Sequence, residues 1–359
     1  MQQPDSGVEG VDLAALASWM NDQRLGAGPV QVVQRLAGGT QNILVLLERA
    51  GRRYVLRRPP LHLRANSNET MRREARVLHA LAGTDVPHPA LIAACPDEQV
   101  LGAAFYLMEP IDGFNAMSGL PESHRFADLQ HAMGLSVADA LAALGRVDPV
   151  ANGLADFGKP DDFLARQAPR WLSQLESNGQ LNGWPGPGAL GDVAAVAAWL
   201  EAGRPTVFTP GLMHGDYHMA NVMFRNDGPQ VAAIIDWELA TLGDPLLDLG
   251  WLLATWPQPG DPGFMVVAPW IGFPSAAELV ERYGRGSARD LTAIGWYAVL
   301  ACFKLGILLE GTYARARAGQ APAETGDRLH ANATWLFERA RRWMAEGPFG
   351  AWAVTPDRA

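Results

Sequence analysis

Leu212-Met213-His214-Gly215-Asp216-Tyr217-His218-Met219-Ala220-Asn221-Val222-Met223-Phe224, followed after a turn by Ala233-Ile234-Ile235-Asp236-Trp237-Glu238, is the stretch on which the fold turns. Apolar Val207-Phe208 lead into His214-Gly215-Asp216, and Asn221 follows five residues after Asp216. Val222 to Phe224 reads as a strand, Asn226-Asp227-Gly228 as a tight turn, and Val231 to Ile235 as a β-branched return strand ending on Asp236. In that hairpin Asn221 and Asp236 share one end. A carboxylate (Asp216) placed to take a proton from an alcohol, with an amide and a second carboxylate suited to Mg²⁺ beside ATP phosphates, forms a kit for phosphoryl transfer.

The flanks agree with that reading. Gly243-Asp244-Pro245 before Leu246-Leu247-Asp248-Leu249 reads as a helix start, with Asp244 as N-cap and Pro245 in the first helical position. Asp248 falls on an otherwise apolar turn, so it is expected to be buried and bonded to the catalytic-loop backbone or to His214. His214 is a candidate base, or a residue that orients the loop through hydrogen bonds. His218 and Glu238 are candidate substrate contacts; a solvated loop residue is the plainer reading of His218.

Upstream, the apolar period changes from helical (residues 11–25) to that of strands: Val30 to Leu36, Ile43 to Glu48, and Tyr54 to Arg57. Gly38-Gly39-Thr40-Gln41-Asn42 makes a glycine-rich first turn whose N–H groups can approach phosphate. Pro59-Pro60 ends the third strand. Residues 69–82 read as a helix, and Glu74 lies on its apolar face between Met71 and Leu78. A buried carboxylate needs a partner, and Arg57 is the natural one. The pair is expected to grip ATP phosphates, Arg57 as the cation and Glu74 as its brace. Leu101 to Met108 reads as a strand and 109–113 as a linker. Beyond it helices are expected over 126–144, 160–175, 193–202, 244–254, 276–284, 289–317 and 325–345.

Composition bounds the rest. The chain has 359 residues, 48% hydrophobic and 19% charged, which suits a folded protein of two lobes. A net charge of −9 argues against nucleic acid as the main partner. Cys95 and Cys302 have no metal-ligand spacing, and Met1 to Asp5 carry no basic run before an apolar core, so a reducing, cytoplasmic setting is expected. Ile294 to Leu309 is too short to cross a bilayer and is broken by Lys304, so a core helix is expected and no membrane partner.

At these residues the chain resembles the aminoglycoside phosphotransferase-like branch of the protein-kinase-like fold, which includes choline and homoserine kinases. His214-Gly215-Asp216 with Asn221 looks like its catalytic loop, Asp236 like its metal-binding aspartate, and Asp244-Pro245 with Asp248-Leu249 like the helix that follows. The resemblance implies an α+β bilobal architecture, with a β-rich nucleotide-binding lobe over 1–110 and a mainly helical catalytic and substrate lobe over 111–359. It implies ATP between the lobes, with adenine against Met108, Glu109 and Ile111, and a small-molecule hydroxyl as acceptor. The chain departs from the kinase pattern in carrying Arg57 where a lysine is usual, and arginine is not a conservative replacement.

A narrower likeness rests on Tyr54-Val55-Leu56-Arg57-Arg58-Pro59-Pro60, on Ile235 to Pro245, and on Phe303-Lys304 with Gly311-Thr312-Tyr313. These look like the kinase domain fused to some acyl-CoA dehydrogenases, which implies a hydroxyacyl-CoA or hydroxy-acid acceptor, with Lys304 facing its anionic group. Snorkelling at a helix edge is the equal alternative for Lys304. A nucleotide-binding module without useful catalysis is the rival of another class; Arg57 is its support and the intact Asp216, Asn221 and Asp236 set stands against it.

Overall fold

The computed structural model describes residues 8–36, 42–258, 261 and 264–347. Helix α1 (Leu13–Asp22) is capped by Asp12, whose carboxylate accepts the N–H groups of Ala14 and Ala15. Strands β1 (Gln31–Arg35), β2 (Ile43–Arg49) and β3 (Arg52–Arg58) form an antiparallel meander. Helix α2 (Ser67–Leu81) interrupts it before β4 (Leu91–Cys95) and β5 (Phe105–Met108) complete a five-stranded sheet of order β1-β2-β3-β5-β4.

The two-residue period of β3 sorts its side chains between two cores. Tyr54 and Leu56 join Leu16 and Met20 of α1 on one face. Val55 joins Met71 and Leu78 of α2 on the other. Arg57 shares the face of Val55, which points its cation at α2. Glu74, one helical turn from Met71 and Leu78, meets it there.

Strand β6 (Gly113–Asn115) carries the chain away from this sheet and pairs with β8 (Val222–Arg225), beside β9 (Val231–Ile234). Helices α3 (Ala127–Gly145), α4 (Gln167–Ser177) and α5 (Val193–Ala202) come between β6 and β7 (Gly211–Met213). Strand β7 pairs antiparallel with β10 (Thr241–Gly243), and α6 (Leu246–Thr255), α7 (Ala276–Arg285), α8 (Ile294–Arg317) and α9 (Ala323–Glu346) follow. The result is a bilobal α+β fold of protein-kinase type: a twisted sheet with its helices over a mainly helical body that carries the β8–β9 hairpin.

The structure corrects several sequence expectations. The strand expected over Leu101 to Met108 begins only at Phe105, because residues 101–103 turn, with Gly102 at φ 74°. Leu91–Cys95 is a strand that Pro87 and Pro89 disguise. Gly113, expected in a linker, opens β6; a Cβ there would lie 2.3 Å from the Phe224 carbonyl oxygen, so the close strand approach requires glycine. Residues 160–166 are turns rather than helix, with Asp162 at φ 53°. Helix α8 is 24 residues, long and apolar enough to cross a membrane by those measures, yet 78% of its most apolar window is buried. It packs on α6 and α9 as a core helix.

Candidate active site

Strands β7 and β10 form a short ladder, Met213 opposite Thr241 and Gly211 opposite Gly243. Two segments spring from it: residues 214–221, leading into β8, and residues 235–240, leaving β9. The hairpin closes at the same place, since the Ile235 N–H donates to the Asn221 carbonyl at 2.9 Å. Asp216, Asn221 and Asp236 are therefore brought together by backbone pairing.

Helix α6 holds the first segment from below. Asp248 is 1% exposed; its Oδ2 accepts the His214 N–H at 2.6 Å and its Oδ1 the Gly215 N–H at 2.9 Å. Burial raises its carboxyl to about 6, against the lowering effect of those two N–H groups and of Lys304. Gly215 has φ 87°, and a Cβ on it would sit 2.4 Å from the Leu239 carbonyl oxygen. Only glycine lets the two segments touch there.

Asp216 is saturated with donors on one side. Its Oδ1 accepts from Trp251 Nε1 at 2.9 Å and from His218 Nε2 at 3.2 Å, and its Oδ2 from Asn221 Nδ2 at 3.0 Å. Burial works to raise its pKa, but the bond and charge of His218, with His214 and Lys304, hold it down to about 2. His218 takes the Ala220 N–H on Nδ1 at 3.2 Å, which holds its ring with Nε2 turned to Asp216. At 8% exposure His218 is not a solvated loop residue: it braces Asp216.

The candidacy of His214 as a base is corrected by its surroundings. It is fully buried, Nδ1 accepts the Asp216 N–H at 3.3 Å, and Nε2 donates to the Ile235 carbonyl at 2.9 Å. Burial lowers its pKa, so it stays neutral. With both ring nitrogens committed, it joins the two segments and has none left for a substrate proton.

Asn221 spends its amide N–H groups on the Asp216 carbonyl at 2.9 Å and on the Asp216 carboxylate. Its amide oxygen is the remaining donor atom toward a cation. Asp236 adopts the left-handed conformation, φ 67° and ψ 62°, which is unusual for a residue other than glycine and clusters at functional sites. Its carboxylate is 36% exposed, and Oδ1 accepts from Arg57 Nη2 at 2.7 Å. These hard oxygens suit Mg²⁺, which takes one or two protein groups and leaves its other positions to phosphate and water. No cluster of three or more His, Cys, Asp or Glu side chains able to hold a metal occurs among the described residues.

Arg57 Nε lies 2.8 Å from Glu74 Oε2, both side chains buried. Burial works to lower the Arg57 pKa, but the charges of Glu74 and Asp236 outweigh it and keep the guanidinium charged. Burial pushes Glu74 up, opposed by Arg57 and by the Tyr106 hydroxyl, which donates to Oε2 at 2.8 Å. Tyr106, in β5, was hidden in an apolar run with no signal of its polar task. Arg73, next along α2, donates to the carbonyls of Phe157 at 3.1 Å and Ala240 at 3.2 Å, fastening α2 beside β10.

The other expected positions are more dispersed. Met108 is buried at the end of β5, Glu109 pairs with Arg52 at 3.0 Å, and the Glu109 N–H is taken by the Ala90 carbonyl at 2.9 Å. Ile111 is half-buried in the crossing segment. Gly38, Gly39 and Thr40 lie outside the described residues. Glu238 is half-buried; burial raises its carboxyl, helped by Asp236, and it bonds the side chain of Asn42. Lys304 Nζ is 3.4 Å from the Gly215 carbonyl, 4.5 Å from the ring centre of Trp251 and 5.5 Å from that of Trp171. Burial pulls it down to about 8 against the pull of Asp248 and Asp216. It is held over two indole faces and does not snorkel at an edge. Asp244 precedes α6 rather than capping it, since the helix starts at Leu246 with Pro245 in the cap position; its Oδ1 accepts the Leu246 N–H at 3.1 Å and its Oδ2 the Tyr297 hydroxyl.

The model of the phosphotransferase enzyme family (APH) matches residues 32–297. The crystal structure of a candidate aminoglycoside phosphotransferase from Ralstonia eutropha JMP134 is 30% identical, with a TM-score of 0.77 over 92% of this chain and 98% of that one. The GDP and kanamycin complex of APH(2")-IIIa shares the fold at 18% identity, with a TM-score of 0.63 over 91% of this chain and 98% of its own. Acyl-CoA dehydrogenase family member 10 of Mus musculus is 28% identical over 83% of this chain and 28% of its own length. Family member 11 of Gallus gallus is 29% identical over 82% of this chain and 38% of its own. The chain thus spans less than half the length of these curated relatives.

Proposed function

Because the chain belongs to the phosphotransferase enzyme family, we propose that it transfers the γ-phosphoryl group of ATP to a hydroxyl of a small molecule. The observation that carries this reading is the gathering of Asp216, Asn221 and Asp236 at one end of the β8–β9 hairpin, facing Arg57. In this assignment residues 1–110 bind nucleotide and 111–359 carry catalysis and acceptor binding, in the cytoplasm.

Asp216 orients the acceptor hydroxyl and takes its proton as the new O–P bond forms and the bond to the ADP oxygen breaks. Asn221 and Asp236 would hold Mg²⁺, which when bound offsets negative charge on the phosphates. Arg57, braced by Glu74 and Tyr106, lays a fixed positive charge beside the same phosphates. Gly38, Gly39 and Thr40 would offer backbone N–H groups to the phosphates, and Met108, Glu109 and Ile111 would border the base. Asp248 supports the loop, and Asp244 ties the start of α6 to Tyr297 of α8.

A second reading of the acceptor, a hydroxy acid or hydroxyacyl-CoA, draws on one feature. Lys304 lies close enough to Asp216 for each to shift the other's pKa, and Arg170 adds positive charge beside it. Cations there favour an anionic acceptor over a polycationic aminoglycoside. The test is thermal shift with ATP, with and without Mg²⁺, then transfer assays on both acceptor classes. A Mg²⁺-dependent shift with transfer to either class supports the proposal. A shift without transfer to any alcohol favours a non-catalytic nucleotide-binding module.

A further inference from the structure

We propose that Trp251 is a positioning residue of the transfer reaction: its indole N–H fixes the Asp216 carboxylate so that Oδ2 is the atom left to accept the acceptor proton. The inference rests on the phosphotransferase reading and assigns work to a side chain that the sequence presents as core.

Trp251 is 2% exposed and lies three residues after Asp248 in α6, so both side chains leave the helix on one face. That face meets the 214–216 segment. Asp248 takes its backbone N–H groups, and Trp251 donates to its carboxylate. A buried indole N–H must find an acceptor, and a backbone carbonyl usually serves. Trp237, Trp256 and Trp296 follow that habit, with Ile234, Pro274 and Leu200 as acceptors, while Trp171 and Trp184 donate to the side chains of Gln167 and Glu310, away from the 214–216 segment. Trp251 instead donates to Asp216 Oδ1 at 2.9 Å.

The lone pairs of Asp216 then decide the rest. A carboxylate offers about two acceptor directions on each oxygen. Oδ1 has two donors, Trp251 and His218, whereas Oδ2 has one, Asn221. An incoming hydroxyl finds its open direction on Oδ2. The terminal torsion of an aspartate is soft, so without Trp251 the carboxylate plane can turn and the open acceptor direction is no longer fixed. Lys304 steadies the indole itself, with Nζ over its face at 4.5 Å and bonded to the Gly215 carbonyl next to Asp216.

The test uses the 359-residue chain with Mg²⁺ and ATP, water serving as the acceptor. Trp251→Phe keeps the ring under Lys304 and removes only the donor. It is expected to lower kcat for phosphate release at least about tenfold, as misplaced proton-transfer groups do, with KM for ATP within about twofold. Packing loss alone would not give that split. In parallel, the Trp251 indole N–H resonance, identified by its loss in Trp251→Phe, is expected to move upfield in Asp216→Asn, where its acceptor loses charge. An unmoved resonance overturns the proposal even if Trp251→Phe fails to fold. Trp251→Phe turning over within about twofold of wild type, beside an inactive Asp216→Asn, also overturns it and leaves the phosphotransferase reading intact. Wild-type turnover in Asp216→Asn instead strikes that underlying reading, and where the wild type releases no phosphate to water the indole resonance alone decides.

Discussion

Arg57 Nη2 and Asp236 Oδ1 stand 2.7 Å apart, so a cation from the five-stranded sheet and a carboxylate from the β8–β9 hairpin form one ion pair between the lobes. With Glu74 on its other side, the guanidinium is shared by two carboxylates. Removing one partner of a buried pair leaves an uncompensated charge. Arg57→Met is therefore expected to lose about 3–5 kcal/mol of stability and to weaken ATP binding. Urea unfolding and an ATP titration check both. Arg57→Lys, which keeps charge but loses the fork, is expected to fall between.

Asp216→Asn keeps the size of the side chain but loses the charge that takes a proton, and its amide nitrogen cannot accept as the carboxylate oxygen it replaces does. Turnover is expected to drop roughly 10²- to 10⁴-fold, while the melting-temperature rise with ATP stays at the wild-type value. Steady-state kinetics beside thermal shift separates the two.

Asp236→Asn suits the left-handed backbone at this position, because asparagine tolerates it well. The fold is expected to persist, and the ATP-induced thermal shift to lose its Mg²⁺ dependence. EDTA should reproduce that loss in the wild type. A variant that keeps a wild-type Mg²⁺ response removes Asp236 from the metal assignment.

Lys304, pulled down by burial to about 8, loses its charge as pH rises through that value. For an anionic acceptor, KM is expected to climb above pH 8 in the wild type and to stay flat in Lys304→Met. Stability moves the other way. Between 8 and the ordinary lysine range the unfolded chain binds the extra proton, so the wild type should gain stability with rising pH relative to Lys304→Met. Melting curves across this interval check the sign.

The parts of this architecture that announce themselves in sequence are those with a period or a punctuation mark. The meander of β2 and β3, the helix bearing Glu74, and the hairpin turned at Asn226-Asp227-Gly228 all carry one or the other. Three-residue strands do not. Gly113–Asn115 and Thr241–Gly243 are strands only because Val222–Arg225 and Gly211–Met213 lie beside them, and neither partner is near in sequence. Side chains with one apolar body and one polar atom are equally opaque. Tyr106 and Trp251 read as core, and core they are by area. Their single donors reach Glu74 and Asp216 across 32 and 35 residues of sequence. His214 misleads in the opposite sense: its titratable ring suggests chemistry, and burial turns it into a two-sided fastening.

Every residue of α6, Leu246 to Thr255, is buried, and the loop bearing Asp216 hangs from it through Asp248 and Trp251. Backbone amides in such a helix exchange with solvent only when the whole molecule opens, whereas loops ordinarily open early and alone. The 214–216 segment thus inherits the cooperativity of the core. On heating, the geometry around Asp216 should survive to the global transition and vanish with it, so activity would serve as a faithful thermometer of the fold.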